Sequence, residues 1–224
     1  MIVIGHKGAA GLAPGNTRAA LQAAIKAGVD WVEFDVRATK DGHIVLSHDA
    51  HTLGVTKRPR IISRTTYATL KHSKTFSGLT IPTIAEAFNA VAGHASINIE
   101  IKTKGCAVAV VQNIERLAKQ GMSYDRFLVS SFSVARLREV HALNNRIPLG
   151  LLHYARPYRF LKLRGLRVQA VGFYHRRLPQ KAIEQAKLRE LFIYAYTINN
   201  EKRALRMQAR GVQGIVTDRP DRLT

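Results

Sequence analysis

Short β-branched runs alternate with longer helical patterns from one end of this chain to the other. Period-2 runs predict strands over 2–5, 31–36, 44–48, 96–102, 127–131, 148–152, 170–173, 192–197 and 214–217. Helical spacing predicts helices over 17–27, 84–92, 107–120, 133–142, 157–163, 179–188 and 201–210. Such an order predicts a parallel sheet with helices outside it, in an α/β fold. At 224 residues the chain is near the low end for an eight-stranded β/α barrel and generous for a doubly wound sheet. Nine strands is one more than a barrel needs. The link over 37–43 is too short for a parallel crossover, and Asp41-Gly42 within it is a turn signal. The segments 31–36 and 44–48 are therefore expected to be joined by an excursion or a partial hairpin.

Composition narrows the class. The chain is long enough to bury a core without covalent staples, and its 46% apolar residues suit a folded domain. A single cysteine, Cys106, excludes an internal disulfide and a cysteine-rich zinc cluster. No apolar run reaches the roughly 18–20 residues of a membrane span. The first strand leads straight to His6, which leaves no room for a signal peptide and makes a cytoplasmic protein the expectation. Thirty-five Lys and Arg against 15 Asp and Glu give a formal charge of +20. Ten basic residues and one acid, Glu184, fall within 156–189. Such a surface attracts polyanions, so an anionic membrane surface is a candidate partner. Nucleic acid is disfavoured, because no helix-turn-helix, zinc-finger or base-stacking signature accompanies the charge.

Strand periodicity places the chemistry. Along 31–36, Val32, Phe34 and Val36 share one face, and Glu33 and Asp35 the other. Along 97–102, Ile97, Ile99 and Ile101 oppose Asn98, Glu100 and Lys102. On a half-solvated antiparallel sheet this alternation is an ordinary wet face. In a parallel sheet, covered on both sides, the charged face points inward and has to be paired, hydrated or metal-bound. Three acids and a lysine converging there suggest a hard-cation site with an anion nearby. His6 and His48 each follow a strand, at the edge where barrel active sites sit. Such a pair can move protons near neutral pH. The other seven histidines lack that placement; His175, just after a strand, is the one that could still line a pocket.

An ordered set of short segments runs through the chain: His6-Lys7-Gly8, Pro14-Gly15-Asn16-Thr17, Glu33-Phe34-Asp35-Val36, Thr39-Lys40-Asp41-Gly42, His48-Asp49, Ile81-Pro82-Thr83, Glu100-Ile101-Lys102, Ser130-Ser131-Phe132, Tyr196-Thr197-Ile198-Asn199 and Gly214-Ile215-Val216-Thr217-Asp218. Together they resemble the glycerophosphodiester phosphodiesterases. The resemblance implies a single-domain (β/α)8 TIM barrel over 1–224, with a short helix-free link between its second and third strands. It implies hydrolysis of glycerophosphodiesters to glycerol 3-phosphate and an alcohol. It implies a divalent cation, Mg²⁺ or Ca²⁺ first and Mn²⁺ next, held by Glu33, Asp35 and Glu100. His6 and His48 would be the general acid and base, and Lys102, with Lys7, would contact the phosphate. In that family the substrate's own 2-hydroxyl can be the nucleophile.

The departures are specific. Lys7 stands where the family has arginine, which keeps the charge and loses the bidentate fork. Gly15 stands where the family has glutamate, and Tyr196 where it has tryptophan. After His48-Asp49 the usually acidic residues read Ala50-His51-Thr52-Leu53, followed by a compact basic stretch with Lys57, Arg58, Arg60 and Arg64. The alternative expectation is a catalytically impaired barrel that binds phosphorylated ligands or anionic surfaces.

Overall fold

The computed structural model describes residues 1–154 and 163–224. The helix expected over 157–163 and the start of the basic run over 156–189 fall largely outside the described residues. The described strands are β1 (Ile2–Gly5), β2 (Trp31–Ala38), β3 (Ile44–Leu46), β4 (Ser96–Ile101), β5 (Phe127–Ser131), β6 (Leu149–His153), β7 (Ala170–Tyr174), β8 (Phe192–Tyr196) and β9 (Gly214–Thr217). The described helices are α1 (Arg18–Lys26), α2 (Tyr67–His72), α3 (Ile84–Val91), α4 (Ala107–Lys119), α5 (Val134–Leu143), α6 (Gln180–Lys187) and α7 (Glu201–Ala209).

Eight strands pair in parallel in the order β1-β9-β8-β7-β6-β5-β4-β2, and β1 pairs with β2 to close the ring. The fold is a (β/α)8 barrel in one domain. The extra strand, β3, forms the expected partial hairpin with β2. β3 lies antiparallel on the end of β2, with Val36 opposite Leu46 and Ala38 opposite Ile44, and takes no place in the ring. The chain from β3 to β4 is an excursion carrying α2 and α3 before the barrel resumes. α2 lies outside the helices expected from the sequence; it is short, and it hangs on a side chain from outside its own segment. Asp41 accepts the Tyr67 N–H at 3.0 Å, and Thr66 accepts from Thr69 N at the N-cap.

The outward strand faces pack under the helices, as periodicity requires. Val32, Phe34, Ile97 and Ile99 are fully buried in the main core, where Phe34 meets Phe88 edge-on at 6.0 Å. Each such side chain contributes roughly 1.5–3 kcal/mol by leaving water. Inside the barrel a smaller apolar layer, including Ile4, Leu128, Leu152 and Val216, surrounds Tyr194. Gly172 makes room for that ring: a Cβ there would lie 2.6 Å from it. This layer plugs the barrel, so polar inward residues lie above it, towards the carboxyl ends of the strands.

The turn after β1 holds the site loop to α1. Gly8 sits at φ +82°, and a Cβ on it would come 2.4 Å from the Ala20 carbonyl carbon. No side chain fits, and L-residues resist that φ. Gly8→Ala is expected to lose at least ~2 kcal/mol in urea unfolding. A variant as stable as the parent would show that the close approach of this loop to α1 is not required.

Candidate active site

The site starts from the register of β2 and β4. Asp35 lies opposite Glu100, and Glu33 opposite Asn98, one inward layer lower. With inward side chains at the same levels of adjacent strands, carboxylate oxygens from Glu33, Asp35 and Glu100 come within 4.8 Å of one another. All three residues are buried. Among the described residues this is the one group of three His, Cys, Asp or Glu side chains close enough to share a metal ion.

Each acid is held differently. Glu33 Oε2 accepts the Lys7 backbone N–H at 2.8 Å. Lys7 can present that N–H because its backbone is left-handed, at φ +52°. Asp35 is clasped by Asn16, whose amide donates to Oδ2 at 2.9 Å while its Oδ1 accepts the Asp35 N–H at 3.1 Å. Lys102 Nζ donates to Glu100 Oε1 at 2.5 Å and lies 3.0 Å from Asp35 Oδ1. So Lys102 is engaged with two of the acids.

One ammonium does not balance three carboxylates. Burial pushes Glu33 well above the usual carboxylate range, and Asp35 and Glu100 add to the push. Burial, then the charge of Asp35, raises Glu100 to about 7. Burial acts the same way on Asp35, but Lys102 and the Asn16 amide outweigh it and hold that carboxyl low. The cluster therefore favours any further positive charge brought to it. Oxygen donors, several of them ionisable, are the chemistry that hard divalent ions take. The residues present fit such an ion, and the triad could bind a divalent metal.

The histidines are each tied to a carboxylate. His6 Nδ1 lies 2.6 Å from Asp218 Oδ1. Burial works to raise Asp218, and hydrogen bonds from His6 and Asn199 outweigh it and hold it below the usual range. An ionised carboxylate only accepts, so Nδ1 carries the proton and Nε2 is the free ring nitrogen. Asn199 in turn fixes Asp218, donating to Oδ2 at 2.8 Å and accepting the Asp218 N–H at 2.8 Å. His6 lines a small cavity of about 40 Å³ with Glu33 and Glu100. His48 is set by Arg37, which donates to its carbonyl at 2.7 Å, and its Nδ1 lies 2.9 Å from Asp49 Oδ1. The hydrogen bond from His48 holds Asp49 low, so here too Nε2 is the free nitrogen. His48 opens on an adjoining cleft of about 250 Å³ shared with Lys7, Gly15 and Asn16.

All seven residues singled out from the sequence thus meet at one end of the barrel. Sequence reasoning gave no role to Asn16, Asn199, Asp218 or Asp49. The position of Asp218 and Asn199 just beyond the last two strands was the available signal. His175 is buried with its Nδ1 3.1 Å from Arg203 Nη1, so that ring nitrogen is already engaged. A Cβ on Gly15 would lie 3.1–3.3 Å from Lys7 Cβ and Cδ. The stem would have to give by a few tenths of an ångström to admit a side chain at 15, and arginine at 7 would present the same stem carbons, so Lys7 does not explain Gly15. A wider cleft, about 1010 Å³, opens at the opposite end beside Ile2, Phe192 and Gln213, and gathers no such cluster.

This geometry agrees with what the chain is similar to. A glycerophosphodiester phosphodiesterase of Caldanaerobacter subterraneus subsp. tengcongensis is 31% identical over 240 residues, covering 99% of this chain and 96% of the relative. YhdW of Bacillus subtilis (strain 168) is 32% identical over 236 residues, with 99% and 96% covered. A phosphodiesterase of Oleispira antarctica, solved in complex with the product sn-glycerol-3-phosphate, superposes with a TM-score of 0.89 at 28% identity, over 100% of this chain and 95% of that one. The sequence model of the glycerophosphoryl diester phosphodiesterase family matches residues 6–222. With the match running from His6 to the end of the last turn, the chain belongs to the glycerophosphoryl diester phosphodiesterase family.

Proposed function

We propose that this barrel mouth hydrolyses glycerophosphodiesters to glycerol 3-phosphate and an alcohol, with Glu33, Asp35 and Glu100 holding a divalent cation and with His6 and His48 as the acid–base pair. The observation that carries it is the surplus of buried carboxylate beside an imidazole that Asp218 holds in one tautomer. Phosphodiesterase chemistry is supported by the family match and by the relatives' names, and the product complex of the Oleispira antarctica relative supports a glycerophosphodiester substrate.

When bound, the cation supplies Lewis-acid polarisation of a phosphoryl oxygen and a template for the substrate's oxygens. The protein's residues do the rest. The unprotonated Nε2 of one histidine takes the proton of the attacking hydroxyl, and the other histidine, starting with a proton on both ring nitrogens, gives its Nε2 proton to the leaving alkoxide; where the attacker is the substrate's own 2-hydroxyl, water then opens the cyclic phosphate with the two roles exchanged. Asp218 and Asp49 keep both protons on Nδ1 and stabilise each imidazolium as it forms. Lys7 offers charge to the phosphoryl oxygens from the His48 cleft. Glu33, Asp35 and Glu100 would hold the cation, and with Asp35 and Glu100 so engaged the Lys102 ammonium would be free to face the phosphate.

His6→Ala and His48→Ala are each expected to lower turnover of glycerophosphocholine at least ~10²-fold. Either variant working at the parental rate removes that residue from the mechanism. Asp218 is a positioning residue, so Asp218→Asn should lower kcat more than it raises KM, and should move the limb of the pH–rate profile that reports His6. An unmoved profile would leave Asp218 with a structural role only.

Metal removal gives a second test, with a definite sign. Glu100 titrates near 7 in the fold against an unperturbed value of 4.5, so the folded state holds a proton that the unfolded chain has lost between those values. In chelator this group's contribution to stability is therefore present below about pH 4.5 and lost as pH rises through about 7. Glu100 would have to give up that proton to hold a divalent cation. Added Mg²⁺ or Ca²⁺ should raise the melting temperature more at pH 8 than at pH 5. An equal rise at both values, or none, would count against the triad as the cation site.

A further inference from the structure

The excursion over 47–83 has a small core of its own, where Ile62, Leu70 and Ile81 pack with Val45. Several of its threonine side chains are buried too, among them Thr52 and Thr56 at 1% exposure and Thr75 at 4%. Four of its large apolar side chains are nonetheless outside: Leu53 is 61% exposed, Val55 40%, Ile61 46% and Phe76 63%. These are four of the twelve exposed large apolar residues among the described ones. Leaving four large apolar side chains in water forgoes the stability that their burial would give.

Backbone pairing draws together the segments that carry these residues. Thr56 bridges Thr75 antiparallel, and the Phe76 N–H donates to the Val55 carbonyl at 3.0 Å, which sets Phe76 beside Val55 and two residues from Leu53. A second bridge, His51 to Ile61, brings Ile61 to the same turn. The buried threonines fix the shape: Thr56 Oγ1 donates to Thr52 Oγ1 at 2.8 Å, and Thr52 Oγ1 accepts the Arg60 N–H at 3.0 Å. The apolar group therefore stands on a hydrogen-bonded frame.

Cations ring it. Between 47 and 83 the chain has six Lys and Arg and one acid, Asp49. Lys57, Arg58, Arg64, Lys71 and Lys74 are exposed and Arg60 is half-buried. Among the described residues none of the six has a carboxylate within 4.0 Å. Asp49 is already hydrogen-bonded to His48.

We propose that this excursion docks the enzyme on an anionic phospholipid surface, with Leu53, Ile61 and Phe76 entering the boundary between headgroups and acyl chains and the surrounding cations meeting the headgroups. An apolar patch rimmed by lysine and arginine is the pattern that interfacial proteins use, and the two parts act together: charge draws the protein to the surface and apolar burial retains it. A nucleic acid would meet the cations but has nothing to offer Leu53 and Ile61. Val55 and Thr75, at the base of the patch, line the cleft that holds His48. Resting on the phosphodiesterase function proposed above, a lipid-borne glycerophosphodiester would present its headgroup to that cleft.

Vesicle binding tests the proposal without reference to turnover. The full chain is mixed with vesicles of phosphatidylcholine plus phosphatidylglycerol, with phosphatidylcholine vesicles and with a single-stranded oligonucleotide. Binding to the anionic vesicles is expected, and the double variant Leu53→Ser, Phe76→Ser should lose at least about tenfold in partitioning, with glycerophosphocholine turnover within about twofold of the parent. Phe76→Trp fluorescence should be quenched by brominated lipid, whereas Leu188→Trp, at the most exposed apolar residue described, should not be. The tryptophan readout keeps the test decisive if the double variant proves unstable. Vesicle binding that survives the double variant, or equal quenching at 76 and 188, assigns the effect to diffuse charge and overturns the proposal. No vesicle binding, with or without oligonucleotide binding, overturns it as well. A chain that binds vesicles through position 76 but hydrolyses nothing would sink the proposed chemistry and leave the docking surface standing.

Discussion

Three buried carboxylates facing one ammonium set the terms for everything else at this barrel mouth. Like charges so close cannot all ionise in an apolar surrounding, and neighbours have to compensate. The chain supplies partial compensation from many directions: the Lys7 N–H on Glu33, the Asn16 amide on Asp35, and Lys102 between Asp35 and Glu100. What remains uncompensated is the driving force for taking up a cation. The unusual backbone at Lys7 and Gly8 belongs to the same constraint, because it turns an N–H towards Glu33 while the loop stays pressed on α1.

The barrel is what makes such a cluster tolerable. Parallel strands lock Asp35 and Glu100 at one level, and the apolar layer around Tyr194 closes the interior below them. Polar inward side chains are then confined to the open end, where loops can reach them. His6 and His48 come from two of those loops, and both present a free Nε2 because a carboxylate holds Nδ1. Symmetry of this kind, one aspartate behind each imidazole, suits a reaction in which one proton is removed and another is returned. The excursion after β3 extends the same end of the molecule outward, so the surface that would meet lipid adjoins the surface that would do chemistry.

Much of this was legible in the sequence because it depends on period-2 geometry. The alternation through Glu33, Phe34 and Asp35, and through Ile99, Glu100 and Ile101, separates barrel interior from helix-facing core without any tertiary information. The extra strand was also legible as an oddity, since seven residues cannot make a parallel crossover. What the sequence could not show were contacts between distant segments. His6 and Asp218 are 212 residues apart, and only closure of the ring by β1 and β9 makes them partners. Helix α2 depends on Asp41 from another segment, so local propensity under-reports it. Lys102 is expected on the phosphate from the family resemblance, and in the fold it first serves Asp35 and Glu100. The exposed apolar group on the excursion is a property of pairing between 55 and 76, which periodicity does not reveal.

Anomalous diffraction from a crystal soaked in Mn²⁺ addresses the electrostatic core of this account most directly. A single strong peak among the carboxylates of Glu33, Asp35 and Glu100, with the Lys102 ammonium moved off Asp35, is the predicted result. Density showing Lys102 still bridging Asp35 and Glu100, with manganese absent or bound elsewhere, would contradict it.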